Sequence, residues 1–471
     1  MHEYRHLHPL QIFPFIGKYL FLLLLPLVRG LLAARSPAAF SAWLRGAWLD
    51  LLVIAAIVLF AYLSWRCSTF CYTATHLTLR RGLFFRQETV LPLRNVTTLS
   101  VESPWYLMPV HARRVFLDTP GRKRRTADFE LLLHSRDADE LLSFARPRGG
   151  DDAPIVYRAR RWDLLFLSEL VTSTPTAVLF LATVFQQSGR ILGEEFQALV
   201  LAELQNIAAL ATFIPRTTAL AALLLLIAWG IGFVRNLLHH SGFTVTRHRA
   251  ALHMHTGLFT KRDHVCALAD INFLDCRQSV FGRFFRLQCA FIHCVGYGKR
   301  KNDASVLFPA LTRQNSGELS RLLPEFLPTP ATLRPSRSAL FRYTRLPLLA
   351  CMLPTPTVIL LTHRLPFWTE LIHFGGLMAF LPAAWWLLLS IFDCFSAGIG
   401  VSDTTYTLRY ARGFCLHTVI LPREKVSQIC LRQSVFQKRR GCCDVLFYSH
   451  HERRAVHRVR HLPLSQVQTL R

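Results

Sequence analysis

Few residues in this chain have the types and spacing that a catalytic site needs. The stretch GYGKR at residues 296–300 comes nearest to a phosphate-binding loop, but it lacks the glycine spacing and the Ser or Thr that holds Mg²⁺. The sequence contains no G-x-S-x-G, G-x-x-x-x-G-K-[ST] or H-E-x-x-H motif, and its carboxylates are sparse and unpaired. These observations predict a protein that is not an enzyme.

Cysteine and histidine side chains raise the question of a metal site. The chain has 12 cysteines, and His253 and His255 share one face of a predicted strand. No two C-x-x-C pairs occur at zinc spacing, and most of the cysteines fall in segments predicted to be cytoplasmic, where thiols stay reduced. We therefore expect no metal and no cofactor, with cysteine acting as a small apolar residue.

Two ionisable residues, Lys18 and Glu169, lie within apolar runs of the chain. Such residues are candidates for a transport path by default, so a six-helix transporter or channel with regulatory cytoplasmic domains is an alternative function. Lys18 lies close enough to the end of its run to snorkel, and Glu169 is only about two turns from the cytoplasmic side. Tethering of soluble domains is the favoured interpretation.

The elements that would position any site are membrane helices. The sequence is 51% hydrophobic, and six apolar runs have the length, or nearly the length, of the roughly 20 residues that cross a bilayer. They form three pairs, at residues 12–32 and 49–65, 164–185 and 217–233, and 346–362 and 374–392. Each pair is followed by a polar segment, which predicts three membrane hairpins and three soluble domains.

Positive charge is concentrated in the three polar segments. The net charge is +26, and the loops on the opposite side of the predicted membrane carry few basic residues. The positive-inside rule therefore places both termini and all three segments in the cytoplasm. Basic residues there are candidates for contact with anionic inner-leaflet lipid or a partner protein: Arg122, Lys123, Arg124, Arg125, Arg277, Arg432, Lys438, Arg439 and Arg440. Nucleic acid is not an expected partner, because the sequence has no stacking-aromatic or groove-reading motif.

A threefold internal repeat underlies this organisation. The pentapeptide RQSVF occurs at residues 277–281 and again at 432–436, and the surrounding segments align with a copy near residue 100. The aligned positions are Gly82, Gly257 and Gly413; Pro92, Ala267 and Pro422; and Tyr106, Phe281 and Phe436. The alternation of apolar and polar residues, broken at the glycines, predicts that each repeat is a strongly bent antiparallel sheet.

The repeated pentapeptide has a structural interpretation. We expect Phe281 and Phe436 to anchor the core of their sheets. We expect the preceding side chains, Gln278, Ser279, Gln433 and Ser434, to bond to the backbone at the following turn. The alternative is that the Arg and Gln of the pentapeptide contact a ligand.

A helix should close each sheet. The first is predicted to begin with Asp137 as N-cap and Glu140 three residues on, and the second with Asn315 and Glu318. The third is predicted to be short. The resulting divisions are hairpins at 1–66, 157–235 and 341–395, and β domains at 67–150, 236–328 and 396–471.

Residues 81–99, their copies at 256–274 and 412–429, and the Q-S-x-F step resemble the bacterial pleckstrin-homology (PH) family of the YdbS/YdbT type. Three repeats and the opening RHLHPLQIFPFIGKYL are similar to the longer, YdbT-like members. The first copy departs from the pattern with ESPWY at residues 102–106, and the second has Cys266-Ala267 where the others have Leu-Pro.

The resemblance implies a multi-pass α-helical protein of the bacterial cytoplasmic membrane. Each of its three PH-like domains would be a bent antiparallel sheet closed by a C-terminal helix. It implies a noncatalytic scaffold that docks protein or lipid at the inner leaflet. A smaller YdbS-like membrane protein is a candidate partner, and envelope stress or resistance to membrane-active peptides is a candidate process.

Overall fold

A computed structural model of the chain gives the arrangement of these elements. It describes residues 4–13, 16, 37–73, 75–119, 128–145, 154–171, 202, 216–294, 305–312, 316–336, 339–413, 415–449 and 455–467. The chain divides into two compact units. The first comprises Met1–Ala153, His248–His255 and Phe259–Asp270, and the second comprises Pro154–Arg247, Thr256–Leu258 and Ile271–Arg471.

The described helices are α1 Pro37–Arg66, α2 Ser135–Ala145, α3 Arg161–Val171, α4 Arg216–His240, α5 Val280–Phe285, α6 Ser316–Leu322, α7 Leu340–Met352, α8 Pro354–Arg364, α9 Thr369–Ser396, α10 Val435–Lys438 and α11 Leu464–Val467. Three segments within them are long and apolar enough to cross a membrane, namely Leu223–His240, Leu340–Arg364 and Gly375–Ser396. These segments associate the chain with a membrane. The predicted run at 12–32 and most of that at 164–185 lie outside the described residues.

The strands of the first repeat are β1 Arg5–His6, β2 Thr69–Tyr72, β3 His76–Arg81, β4 Gln87–Pro92, β5 Thr98–Pro104, β6 Ala112–Asp118 and β7 Phe129–His134. Those of the second are β8 Ile155–Arg158, β9 Thr244–His248, β10 Ala251–Thr256, β11 Thr260–Ala267, β12 Ile271–Gln278, β13 Gln288–Cys294 and β14 Val306–Leu311. Those of the third are β15 Gly398–Val401, β16 Thr405–Arg412, β17 Cys415–Pro422, β18 Val426–Arg432, β19 Cys442–Ser449 and β20 Ala455–Pro463.

The threefold repeat of the sequence is also a repeat of elements. Pro92, Ala267 and Pro422 are the last residues of β4, β11 and β17. A single 3-10 turn follows each of these strands, at Leu93–Asn95, Leu268–Asp270 and Arg423–Lys425, and leads into β5, β12 and β18. The turn redirects the chain, so each repeat is divided into two halves.

The two halves of a repeat belong to different sheets. In the first unit, β1-β2-β3-β4 form one sheet. In another sheet the neighbouring strands are β7-β6-β5-β11-β10, so β5 of the first repeat pairs with β11 of the second. In the second unit the strand order is β14-β13-β12-β17-β16-β15, and β18-β19-β20 form a separate sheet. The prediction of one sheet per repeat is therefore wrong. The second half of each of the first two repeats pairs with the first half of the next.

We call these pairings the first junction, β5 with β11, and the second junction, β12 with β17. Both are antiparallel, with Leu99 opposite Val265 in the first and Leu274 opposite Ile420 in the second. A strand with an unpaired edge exposes backbone donors and acceptors, and each junction removes two such edges. Local alternation of side chains cannot specify the partner strand, which explains why the sequence did not predict the sharing.

The core of the first unit includes residues from two repeats. Leu99 and Val101 of β5 pack in one cluster with Leu77 and Leu91 of the first sheet and with Val265 of β11. All five side chains are buried. The burial of apolar surface is the dominant favourable contribution to folding. The second repeat thus completes the hydrophobic core of the first.

The closing helices differ in part from their predictions. α2 begins at Ser135, so Asp137 lies in its first turn and is not its N-cap. α6 begins at Ser316, directly after the predicted cap Asn315, which lies outside the described residues. α11 is described over Leu464–Val467, and residues 468–471 lie outside the described residues, so the short third helix stays a prediction.

Candidate functional site

Each junction contains buried polar side chains that face each other across the paired strands. In the first, Ser100 Oγ lies 2.7 Å from His264 Nδ1, and Arg262 Nε donates to Glu102 Oε1 at 3.0 Å. Arg262 and Glu102 are direct cross-strand partners. A buried carboxylate requires such a partner, so these contacts favour this pairing over a shifted register.

Asp275 is the corresponding buried carboxylate of the second junction. Its carboxylate accepts from Arg277 Nε at 2.7 Å and lies 2.9 Å from His417 Nδ1 on the opposite strand. His293 Nε2 is 3.9 Å away. Burial alone raises the pKa of Asp275, but His417 and Arg277 outweigh burial and hold the pKa below its usual range. The predicted contact residue Arg277 thus stabilises the junction.

A cavity of about 680 Å³ lies beside the second junction, and we call it the arginine cavity. Its basic residues are Arg283, Arg286, Arg334 and Arg409, and its polar lining also includes Gln278, Gln288, Ser396 and His417. No aspartate or glutamate lines it among the described residues. The cavity therefore presents positive charge that the described part of the chain does not neutralise.

Helix α5 places two of the arginines. Ser279 Oγ accepts from Gly282 N and caps the helix, and Arg286 ends it in the left-handed conformation with φ 55°. This short helix between β12 and β13 is the direct product of the QSVFG sequence, because Ser is a preferred N-cap. Arg283 and Arg286 at its end line the cavity.

The segment before the third hairpin contains Arg334, and it also contacts Arg409 of β16. Thr329 N and its hydroxyl each lie 3.0 Å from Thr407 Oγ1, and Arg409 donates to Thr329 O at 2.9 Å. A Cβ at Gly400 would lie 2.6 Å from Pro330 O, so only glycine permits this approach. Arg334 is thereby held on the same cavity as Arg409.

Among the four arginines of the cavity, Arg334 and Arg283 repel Arg409. Burial lowers the pKa of Arg409, and the charges of Arg334 and Arg283 lower it further. Among the described residues, none of the four forms an ion pair with a carboxylate. An anion in the cavity would relieve this repulsion, and guanidinium groups bind phosphate oxygens with two parallel hydrogen bonds.

The cavity lies at the end of an apolar helix. Phe395 and Ser396, the last residues of α9, are part of its lining. Two hydrogen bonds connect the hairpin to the third repeat: Ala411 N donates to Asp393 Oδ1 at 2.7 Å, and Tyr343 Oη donates to Arg460 O at 2.8 Å. The cavity therefore lies where the apolar helix α9 ends.

The turn positions of the repeat have the backbone geometry that glycine permits. Gly82, Gly257 and Gly413 all have positive φ, at 120°, 102° and 64°. A Cβ at Gly82 would lie 1.9 Å from Phe85 O. The tight turn before β4 therefore requires glycine.

The pentapeptide residues make local bonds. Gln278 Nε2 donates to Leu287 O at 3.0 Å, and Gln433 Nε2 donates to Cys442 O at 2.9 Å. Ser434 caps α10 and forms a capping box with Gln437.

The aromatic position of the repeat was interpreted incorrectly. Phe436 is 81% exposed, so it does not anchor the core of the third repeat as predicted, and Tyr106 is 48% exposed. The cap at Ser434 begins a helical turn that directs the following apolar side chains outward. The side chain of Phe281 lies outside the described residues.

The remaining predicted residues do not form one site. Arg432, Lys438, Arg439 and Arg440 are exposed at the end of β18 and on the segment that follows it. Lys18, the side chain of Glu169, and residues 122–125 lie outside the described residues. No group of three or more metal-ligating side chains occurs in the described part of the chain.

The arginine cavity was not predicted from the sequence. Its four arginines come from three segments that are far apart in the sequence. None of them lies in a run of consecutive basic residues. The available signal was the stretch GRFFRLQCAFIHC at residues 282–294, which contains arginine but no acidic residue.

Comparison with known proteins gives one result for the whole chain. A family model described as Bacterial PH domain matches three times, at residues 20–147, 196–325 and 348–471. No curated protein and no solved structure matches the chain. The matches cover most of the chain and confirm the threefold repeat.

Proposed function

The chain belongs to the bacterial PH domain family, whose repeats are docking modules for lipid or protein, and we propose that its arginine cavity binds an anionic lipid headgroup. In this proposal the protein is a noncatalytic membrane scaffold. Its three repeats are presented at the cytoplasmic leaflet, and lipid contact through the cavity fixes their position at the surface.

The observation that supports this proposal most strongly is the grouping of Arg283, Arg286, Arg334 and Arg409 with no described carboxylate. A phosphodiester can accept from several guanidinium groups at once, and charged hydrogen bonds contribute about 1.5–3 kcal/mol each. Gln288 in the lining adds a neutral donor for the remaining headgroup oxygens.

The position of the cavity favours a lipid over free phosphate. Phe395 and Ser396 end a helix that has the length and composition to cross a membrane. Anionic lipids give the cytoplasmic leaflet a negative surface potential, which concentrates basic groups there. A headgroup could then enter the cavity while its acyl chains stay beside the apolar helix.

The test is a binding titration on the full-length protein in a neutral detergent. The probes are short-chain phosphatidylglycerol, short-chain phosphatidylcholine and inorganic phosphate. The variant combines Arg283→Gln with Arg334→Gln, because both side chains are exposed. We expect it to bind phosphatidylglycerol at least about tenfold more weakly than the wild type, the loss of one charged hydrogen bond or more.

The control combines Arg86→Gln with Arg136→Gln, which removes the same charge from exposed positions outside the cavity. It should bind like the wild type. Equal binding of inorganic phosphate and phosphatidylglycerol would show a free-anion site and contradict the lipid proposal. Equal loss in the control variant would show a general charge effect and would also contradict it.

A further inference from the structure

Each junction pairs a strand of one repeat with a strand of the next repeat. Two strands at equivalent positions, β4 and β18, take part in neither junction. β11 and β17 pair with the strand β5 or β12 of the preceding repeat. β4, the equivalent strand of the first repeat, lies at the edge of its sheet, and among the described residues only β3 pairs with it. β18, the equivalent of β5 and β12, also lies at the edge of its sheet, and in the described part of the chain only β19 pairs with it.

Both junctions use the same register. Leu99 and Leu274 occupy one position of the repeat, and they pair with Val265 and Ile420, which also occupy one position. The residues at these two positions on the free edges are Ile429 on β18 and Val90 on β4. The rule that governs both junctions therefore specifies one register for the two free edges, with Ile429 opposite Val90.

The free edge of β4 exposes an apolar side chain at a position that is buried in both junctions. Val90 is 53% exposed, whereas its equivalents Val265 and Ile420 are 5% and 0% exposed. In the first unit, Val265 completes the core that contains Leu99. The core of the third repeat contains Ile429 as a partly buried member, and no residue takes the place of Val265 there among the described residues.

The side chains on the two edges are compatible in this register. Gln428 faces Leu91, Cys430 faces Thr89, and Arg432 faces Gln87. No pair places like charges opposite each other, which would be destabilising. The last pair corresponds to Glu102 with Arg262 in the first junction, so a long cationic side chain again meets a hydrogen-bonding partner.

We infer that the free edge of β18 pairs with the free edge of β4 in a second copy of this chain. The pairing is antiparallel and repeats the geometry of the two junctions. Each copy has one edge of each kind, so the contact is head-to-tail and joins successive copies as the junctions join successive repeats. This interaction is independent of lipid binding in the arginine cavity.

The test uses a native thiol of β18. Cys430 is a free cysteine and is predicted to face Thr89 of the next copy. The equivalent pair in the first junction, Ser100 and His264, is in direct contact at 2.7 Å. A disulfide requires Cβ atoms about 3.5–4.5 Å apart, so the introduced thiol of Thr89→Cys should reach Cys430 of a neighbouring copy.

Two differently tagged copies are expressed together in cells and oxidised in the intact membrane. One carries Thr89→Cys and Cys430→Ser, and the other is unchanged, so that only a bond between copies can join the two tags. We expect a mixed dimer whose crosslinked peptides contain positions 89 and 430. Its yield should exceed that of a Glu88→Cys control by at least about tenfold, because that neighbouring side chain points to the other face.

Three results would overturn the inference. The first is the absence of a mixed dimer in cells where both copies are folded and in the membrane. The second is a dimer that forms equally with Glu88→Cys, or that persists when the second copy carries Cys430→Ser. The third is a crosslink from position 89 or 430 to a different protein in place of the second copy.

Discussion

At the scale of single residues, the second junction depends on one buried carboxylate. Asp275 is 4% exposed and contacts Arg277 from its own strand and His417 from a strand 142 residues away. Nothing in the sequence INFLDCRQ marks this aspartate, because its partner is specified only by the pairing of β12 with β17. The residue types alone therefore predicted the strand. They did not predict that Asp275, a charged side chain that is costly to bury, lies inside the junction.

Replacing Asp275 with Asn should lower stability in a pH-dependent way. The folded-state pKa of Asp275 is depressed, so its stabilisation is full above the ordinary aspartate pKa of about 3.9 and is lost as the pH falls below that value. We expect Asp275→Asn to cost about 3 kcal/mol at neutral pH. Thermal unfolding in detergent should show a lower midpoint at pH 7, with the difference shrinking towards pH 3.

The matched control is Asp403→Asn, because Asp403 is exposed. It should leave the midpoint within about a degree of the wild type, as surface changes usually do. A constant difference between Asp275→Asn and the wild type from pH 7 to pH 3 would contradict the assigned role of this carboxylate.

At the scale of elements, local chemistry was predictable and partner choice was not. The glycine turns follow from the sequence, because each depends on a few neighbouring residues. The exposure of Phe436 was missed because a serine cap after a strand begins a helical turn in place of a strand end. The shared sheets were missed because alternation specifies a strand but not its neighbour.

The turn glycines should differ in how well they tolerate alanine. Gly82 has φ 120° and would place a Cβ 1.9 Å from Phe85 O, whereas Gly413 has φ 64° and a Cβ there would meet no atom within 4 Å. We expect Gly413→Ala to cost about 1 kcal/mol, the ordinary penalty of a left-handed residue. Gly82→Ala should cost about 3 kcal/mol, since the turn must also move.

Thermal unfolding of the two alanine variants, measured side by side in one detergent, compares these costs directly. The larger drop in midpoint should belong to Gly82→Ala. Equal drops, or a larger one for Gly413→Ala, would show that the turn before β4 relaxes without strain.

At the scale of the whole molecule, family membership and the apolar helices describe a membrane-associated docking protein. The sequence predicted the three repeats and the basic character of the soluble segments. It could not predict the arginine cavity, because Arg283, Arg334 and Arg409 come together only when the second and third repeats share a sheet. We therefore propose that the sharing of a sheet between two repeats builds an anion site that no single repeat contains.

The most direct test of this claim is native mass spectrometry of the full-length protein released gently from its own membrane. The wild type is predicted to retain a phospholipid with an anionic headgroup, and the variant with Arg283→Gln and Arg334→Gln is predicted to lose it. The control variant with Arg86→Gln and Arg136→Gln should keep the lipid. A wild-type protein that carries no lipid, or a cavity variant that retains the same anionic lipid, would contradict the proposed anion site.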